Sequence, residues 1–494
     1  MNTANAADLN PSNTWTAVII GSGFGGQSAA LMLRRMGIDD FVILERREFV
    51  GGTWCQNRYP GAAVDVQSPL YSIASEPWPW TRMYAHRDEL EQYTNHVLTR
   101  HGLRERTITG ANVVEALWDD AEGVWRVATD SAGVWTGRFL INASGPLSMA
   151  KIPDFPGRDT FAGSAFHTNA WDPCIDLAGK RVAIVGSGAS AAQVIPAITP
   201  EVAQLHVFQR TPHWVLPRPD REFGPIAQAL LRFRPAYRLL RWSIYWKLET
   251  RVIGFKYSRR ALELIARRKA LQHLKRQVPD PALRSALTPD YTIGCKRIIL
   301  SNTLYPALSQ PHVTLHDRTD AIAAVVPQGI RTTGGTTLEL DAIIWATGYD
   351  ATVAPMTHTI IGRDGRSLAD VWTEFPRAYL GTTVPGFPNC FLMTGPNTGI
   401  GHTSALFIIE SQLEYVRRAI EAARHRGPID VTPAAEERWT ASVHQQMEQT
   451  VWAAGGCNSW YRHPSGRVIA MYPGFSFEFR LKARAFRAGD HGFG

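Results

Sequence analysis

Apolar residues along the chain gather into short runs that end at glycine turns and give way to helical spacing. From Thr14 to Ile20 the run TWTAVII leads into GSGFGG and then into SAALMLRRMG. The order is strand, glycine turn, helix. A second strand, Phe41 to Leu44, is closed by Glu45 and completes a βαβ unit. The pattern returns from Arg181 as RVAIVGSGASAAQVIPAI, and its second strand, LHVFQ, ends just before Arg210. In both copies the second strand closes 24 residues after the first glycine, Gly21 to Glu45 and Gly186 to Arg210. Two nucleotide-binding units are expected.

Two further strands end in small-residue turns, GRFLINASGPLS and LDAIIWATGYD, and read as crossovers between lobes. From about Phe223 to Leu287 the chain is rich in Leu, Arg, Trp and Ala at helical spacing, which predicts a helical insertion within the second lobe. An amphipathic helix is expected from Ser404 to Arg424, followed by an aromatic-rich tail. The predicted fold class is α/β, with two Rossmann-like dinucleotide-binding domains and a helical insertion. The first domain takes residues 1–146 and 349–494, the second 152–221 and 291–346, and the insertion 222–290.

At 494 residues the chain is long enough for two or more packed lobes, and its 45% hydrophobic and 19% charged residues exclude a largely disordered or collagen-like polymer. Cys55, Cys174, Cys295, Cys390 and Cys457 form no CxxC pair, so no disulfide framework or thiolate zinc site is expected, and a reducing cytoplasm fits. The polar start, MNTANAADLNPSNTW, reads as a short tail without a signal-peptide core, and no apolar run is long enough to span a bilayer. A soluble protein is expected. Of the net charge of +8, much sits between Arg232 and Arg276, which hold fourteen Lys and Arg against two Glu. A solvated helical face accounts for this, with contact to a membrane surface as the alternative; nucleic acid is not expected.

The two glycine turns select different ligands. Gly21, Gly23 and Gly26 satisfy GxGxxG: the first permits the turn, the second admits pyrophosphate, and the third lets helix pack on strand. Glu45 can accept hydrogen bonds from ribose hydroxyls, which suits FAD or NAD. The second turn offers Gly186, Gly188, Ser190 and Ala191, and its strand ends at Arg210 and Thr211. A guanidinium in place of the carboxylate pairs with a 2′-phosphate, which points to NADPH. The plain alternatives are a structural glycine turn and a solvated strand-end arginine.

A flavin reduced by nicotinamide passes its electrons to a disulfide, to a partner, or to dioxygen. Cys55 stands alone in GGTWCQNRYPG, which disfavours the first route. Phe161, Gly163, His167, Trp171 and Asp172 spell FxGxxxHxxxWD, and Gly51 to Asp65 spell GGTWxxNRYPGxxxD. With these motifs the chain resembles the class B flavoprotein monooxygenases, and among them the type I Baeyer-Villiger monooxygenases. The related N- and S-oxygenating enzymes usually carry Tyr or Phe where Trp171 stands. The resemblance covers nearly the whole chain, including GPNTGIGHTS from Gly395 to Ser404.

The resemblance implies an FAD enzyme that takes hydride from NADPH, reacts with O2 and inserts one oxygen atom beside a ketone carbonyl, giving an ester or lactone. The reactive species would be a flavin C4a-peroxide, kept anionic so that it attacks the carbonyl to form a Criegee-type adduct. Lys296-Arg297 in IGCKRIIL matches the family's reactive arginine, so Arg297 would lie over the flavin and stabilise the anion. Lys296 would join Arg210 and Thr211 around the NADPH phosphate. Asp65 would hold Arg297 in place, or else serve as a structural carboxylate after its turn. Gly52, Thr53, Trp54 and Tyr59 are expected at the flavin, with ordinary core packing as the alternative for the two aromatics. His167 reads as a linker histidine that couples lobe motion rather than as a proton shuttle. IGCKRIILSNTLYPAL resembles the broader ketone-oxygenating and flavin-monooxygenase-like branch more than the best-known cyclic-ketone enzymes, so linear and aryl ketones stand beside cyclic ones. The alternatives are a flavin N- or S-monooxygenase acting on sulfides or amines, and a non-oxygenating redox or sensor flavoprotein.

Overall fold

Strand Thr14–Ile20 loses solvent on both faces from Ala17 onward, the burial expected of a parallel strand covered by helices above and below. In this computed structural model, which describes residues 13–131, 133–350, 357–457 and 459–494, that strand is central to the first sheet. It pairs in parallel with Phe41–Leu44 on one side and Val134–Asn142 on the other. Thr107–Ile108 extends the sheet beyond Phe41–Leu44, and Cys390–Leu392 adds in parallel to the end of Val134–Asn142. An antiparallel hairpin, Val113–Asp119 and Val124–Thr129, grows from the start of Val134–Asn142. One face is sealed by helices Phe24–Arg35 and Ala405–Arg426, whose Ala29, Leu33, Leu413 and Val416 share a core with Ile19, Ile43 and Phe139. On the other face Trp125, Trp135, Trp372 and Phe387 close over Val18 and Leu140.

The second sheet is wholly parallel, in the order Val313–His316, Gln204–Phe208, Arg181–Val185, Ala342–Trp345, Ser164–His167. Helix Ala189–Ile198 packs on it through Ala191, Val194 and Ile195. The two predicted crossovers lie side by side: Ala150 bridges Tyr349, the Lys151 N–H donates to the Gly348 carbonyl at 2.9 Å, and the Asp350 N–H donates to that of Met149 at 3.0 Å. The polar amino-terminal tail lies outside the described residues.

Two expectations are corrected. The insertion, placed by sequence within the second lobe, divides its packing. Leu231, Tyr237, Ile244 and Leu248 of helices Pro225–Arg232 and Arg234–Glu249 share a core with Trp80, Tyr93 and Phe407 of the first lobe. Leu274 and Val278, at the end of helix Arg268–Gln277, join the second. Helical periodicity marks an apolar stripe but not its partner. The cysteines also depart from expectation, because Cys295 and Cys457, 162 residues apart, are bonded as a disulfide. Their spacing carries no signal, since only the fold lays residues 291–297 against the carboxy-terminal tail. Among the described residues no helix is long and apolar enough to cross a membrane.

Candidate active site

At the first glycine turn, backbone packs against backbone. Gly21 adopts φ 96°, and a Cβ on Gly26 would fall 1.9 Å from the Gly21 carbonyl oxygen. The GGTW loop closes on the same turn, where a Cβ on Gly52 would meet the Gly23 Cα at 2.6 Å. Glu45, buried at the end of its strand, accepts from the Ser22 N–H at 3.1 Å and hydroxyl at 2.6 Å, and from the Arg47 N–H at 3.1 Å. Its oxygens offer about four acceptor sites, so the carboxylate is fixed yet keeps capacity for a ribose hydroxyl. These residues line a cleft that runs from Glu45 past Gly21, Gly23 and Gly52 to Thr53, Trp54, Tyr71 and Met393. Part of this cleft is open to solvent. A dinucleotide of the FAD type fits this glycine cradle and the Glu45 carboxylate beside it.

Trp54 Nε1 donates to the Tyr71 hydroxyl at 3.4 Å at the far end of the cleft. Beyond Tyr71 stands the pair expected from sequence. Arg297 Nε and Nη2 donate to the two oxygens of Asp65, each at 2.6 Å, in a parallel fork between lobes. The side chains keep 41% and 32% of their surface accessible, and the rest is enclosed by protein. Burial alone would push the Asp65 carboxyl up, but the Arg297 charge and hydrogen bonds outweigh it and hold it below the usual carboxylate range. Asp65 in turn raises Arg297 above an ordinary guanidinium, against the opposing effect of burial. Arg297 is therefore a permanent cation with one edge committed to Asp65 and NH groups remaining for a second anion.

The second turn repeats the first with different chemistry. Gly186 has φ 127° and abuts the Ala346 carbonyl, whereas a Cβ on Gly188 would meet nothing within 4 Å. Ser187 donates to the Thr211 carbonyl at 2.8 Å, tying the turn to the strand end as Ser22 does through Glu45. Arg210 is exposed and Lys296 half-buried, and burial followed by the Arg210 charge lowers the Lys296 pKa despite the opposing Asp290. Two cations held together in this way suit a phosphate dianion, so the residues present fit NADPH. Ser190 and Ala191 begin the helix beneath this turn.

Other predicted residues settle elsewhere. Tyr59 is outside the flavin-type cleft: its hydroxyl donates to Gln193 at 3.1 Å and its ring packs on the second lobe's core. His167 ends the edge strand Ser164–His167, accepts from the Asn169 N–H at 3.1 Å and lies 5.6 Å from the Tyr349 ring, against the returning crossover. Burial lowers its pKa, opposed by the Gly348 backbone. Around it, Trp171 meets Phe166 edge-on at 5.1 Å, Asp172 accepts from the Cys174 N–H at 2.9 Å, and Phe161 packs on the core beneath. Gly163 has no room for a Cβ, which would sit 2.5 Å from the Asp341 carbonyl. The FxGxxxHxxxWD motif thus builds the edge beside the crossovers and stands apart from the cleft. Sequence reasoning missed Tyr71, Tyr461 and His213. Burial pushes Tyr461, beside Arg297, up to about 12. His213, hydrogen-bonded to the Arg297 backbone, is pushed down to about 4 by burial and then by Lys296. No local pattern marks these three, because only the fold brings them to Arg297.

A profile of the pyridine nucleotide-disulphide oxidoreductases matches residues 18–229. A Baeyer-Villiger monooxygenase of Pseudomonas aeruginosa is 42% identical over 96% of this chain and 90% of its own length. The chain belongs to the Baeyer-Villiger monooxygenases. Among solved structures, OTEMO in complex with FAD and NADP superposes with TM-score 0.86 at 28% identity, covering 95% of this chain and 97% of that one. Cyclohexanone monooxygenase from Rhodococcus sp. Phi1 bound to NADP+ gives TM-score 0.86 at 29% identity, covering 96% and 97%. This Baeyer-Villiger monooxygenase is therefore a flavin monooxygenase with FAD and NADP sites on Rossmann-like cores, as its sequence predicts.

Proposed function

We propose that the enzyme uses NADPH and O2 to insert one oxygen atom beside a ketone carbonyl, releasing an ester or lactone. The observation that carries this reading is the Arg297–Asp65 fork at the Trp54–Tyr71 end of the cleft. FAD, when bound and reduced, supplies the activated oxygen. Gly21, Gly23 and Gly52 admit its pyrophosphate, and Glu45 holds its ribose. Gly186, Gly188, Ser190, Arg210, Thr211 and Lys296 bind NADPH. Arg297 stabilises negative charge on the attacking oxygen, in a site where enclosure strengthens the interaction. Asp65 fixes the guanidinium plane and is a positioning residue. His167, set against the crossover, couples the lobes. Linear, aryl and cyclic ketones fall within the proposal, and the cytoplasm is its location.

Ketone oxygenation, NADPH oxidation and anaerobic flavin reduction in Arg297→Ala test it. Ester formation is expected to fall at least about a hundredfold, with flavin reduction by NADPH retained. Sulfide oxygenation, which needs no oxygen anion, should survive. Undiminished ester formation would remove Arg297 from the chemistry.

A further inference from the structure

The basic insertion carries a second surface that the oxygenation chemistry does not use. Of the seventeen large apolar side chains exposed among the described residues, ten lie between Ile226 and Ile265, and Leu239 and Trp242 are 67% and 62% exposed. Some of them join a strip that runs through half-buried Phe475 and Phe477. Leu239, Trp242 and Trp246 follow one another at helical spacing on Arg234–Glu249. The Trp242 ring lies 6.3 Å from Trp246, which lies 5.8 Å from Phe477. Phe477 lies 5.2 Å from Phe475, which lies 6.1 Å from Tyr257. Leu481, one turn beyond Phe477 on helix Ser476–Arg484, is also exposed.

The cations around this strip are largely free of carboxylates. Of the fourteen Lys and Arg from Arg232 to Arg276, only Arg241 and Arg267 reach one among the described residues, Glu410 and Glu263. Arg260, Arg268 and Lys275 line an open groove together with Leu264, Leu271 and Glu263, whose carboxylate pairs with Arg267.

We propose that this face docks the folded enzyme on a bilayer containing anionic phospholipid. The Leu239–Trp242–Trp246 stripe enters the headgroup region, and the surrounding arginines and lysines meet lipid phosphate. Charge decides the occupant. A second copy seated by twofold symmetry would set these cations against their own counterparts. Nucleic acid would meet the cations but leave the exposed leucines and isoleucines uncovered. An anionic bilayer satisfies both halves of the surface, as it does for interfacial amphipathic helices.

The test is sedimentation of the FAD-loaded enzyme with vesicles of phosphatidylcholine containing phosphatidylglycerol, and with vesicles of phosphatidylcholine alone. Binding to the anionic vesicles should be at least tenfold tighter and should weaken with salt. The double variant Leu239→Ser/Trp242→Ser should lose at least tenfold of it. Arg234→Glu and Arg238→Glu should each lose about fivefold or more, and NADPH oxidation should be unchanged in all of them. Should the double variant lose flavin, Leu264→Ser/Ile265→Ser replaces it, with the same loss expected. Equal binding to both vesicles, no binding to the anionic ones, or full binding by the folded variants would overturn the proposal. So would a concentration-dependent dimer abolished by Leu239→Ser/Trp242→Ser, which would assign the face to a second copy.

Discussion

At the scale of single residues, position and charge matter separately at Arg297. Lysine keeps the charge but cannot make the two parallel bonds to Asp65, so Arg297→Lys should fall between wild type and Arg297→Ala in ester formation. Arg210 offers a cleaner comparison. In the proposed site its guanidinium serves only the phosphate that distinguishes NADPH from NADH, and a charge-assisted hydrogen bond contributes about 1.5–3 kcal/mol. Arg210→Ala is expected to raise KM for NADPH roughly ten- to a hundredfold while leaving KM for NADH nearly unchanged; an equal rise for both would place Arg210 outside the phosphate site. His213 makes a prediction about pH. Burial, and then Lys296, depress its pKa from an ordinary imidazole's 6.5 to about 4. The native state therefore binds fewer protons than the unfolded chain between those values. The stability concerned is present above about pH 6.5 and is lost as pH falls toward about 4, a loss of at most about 3.5 kcal/mol. Melting curves across this range should steepen for wild type relative to His213→Gln, and the two should run parallel above pH 7.

At the scale of elements, the two glycine turns share a backbone path but leave different room. In the first, a Cβ on Gly26 would strike the Gly21 carbonyl, a backbone atom that cannot yield without moving the turn. Gly26→Ala should cost several kcal/mol and strip flavin from the purified protein, read as the ratio of flavin to protein absorbance and as Tm. In the second, the equivalent Ala191 is already accommodated and fully buried, while Gly188 faces open space. Gly188→Ala should leave stability within about 0.5 kcal/mol of wild type yet weaken NADPH binding, because in the proposed site the space it fills is that of the pyrophosphate. The contrast explains why these units were readable. Strand, turn and helix interact within thirty residues, so Thr14–Ile20, Phe41–Leu44 and the matched ends at Glu45 and Arg210 follow from local pattern. Arg297 and Asp65 stand 232 residues apart, and sequence joins them only through resemblance to a family. Tyr59 shows the limit of that aid: its motif was legible, but the direction of its ring depends on Gln193 in the other lobe. Tyr71, Tyr461 and His213 had no pattern to betray them.

At the scale of the whole molecule, long-range ties hold the lobes in register around Arg297. Insertion residue Arg241 donates to the carbonyls of Pro69, Leu70 and Ser72 at 3.0, 3.2 and 2.7 Å, and Glu249, buried, accepts from the Ser476 hydroxyl at 2.8 Å beside His402. The disulfide is the covalent member of this set. Cys295 immediately precedes Lys296 and Arg297, and Cys457 precedes Tyr461, which lies beside the guanidinium. Closing a loop of 162 residues stabilises by up to about 5 kcal/mol in the chain-entropy account, with about 2–4 the usual range. Because reducing conditions open such bonds, the thiol count depends on handling. Protein purified in air should show one reactive thiol when folded, from exposed Cys174, three in denaturant as Cys55 and Cys390 are uncovered, and five after reduction. Cys295→Ser should lower Tm by the equivalent of about 2–4 kcal/mol and slow ester formation, while flavin content stays at the wild-type level because the FAD cradle lies wholly in the first lobe. Five thiols in denaturant without reductant would show that the pair does not close, and the register of Arg297 would then rest on Asp65 and the insertion alone.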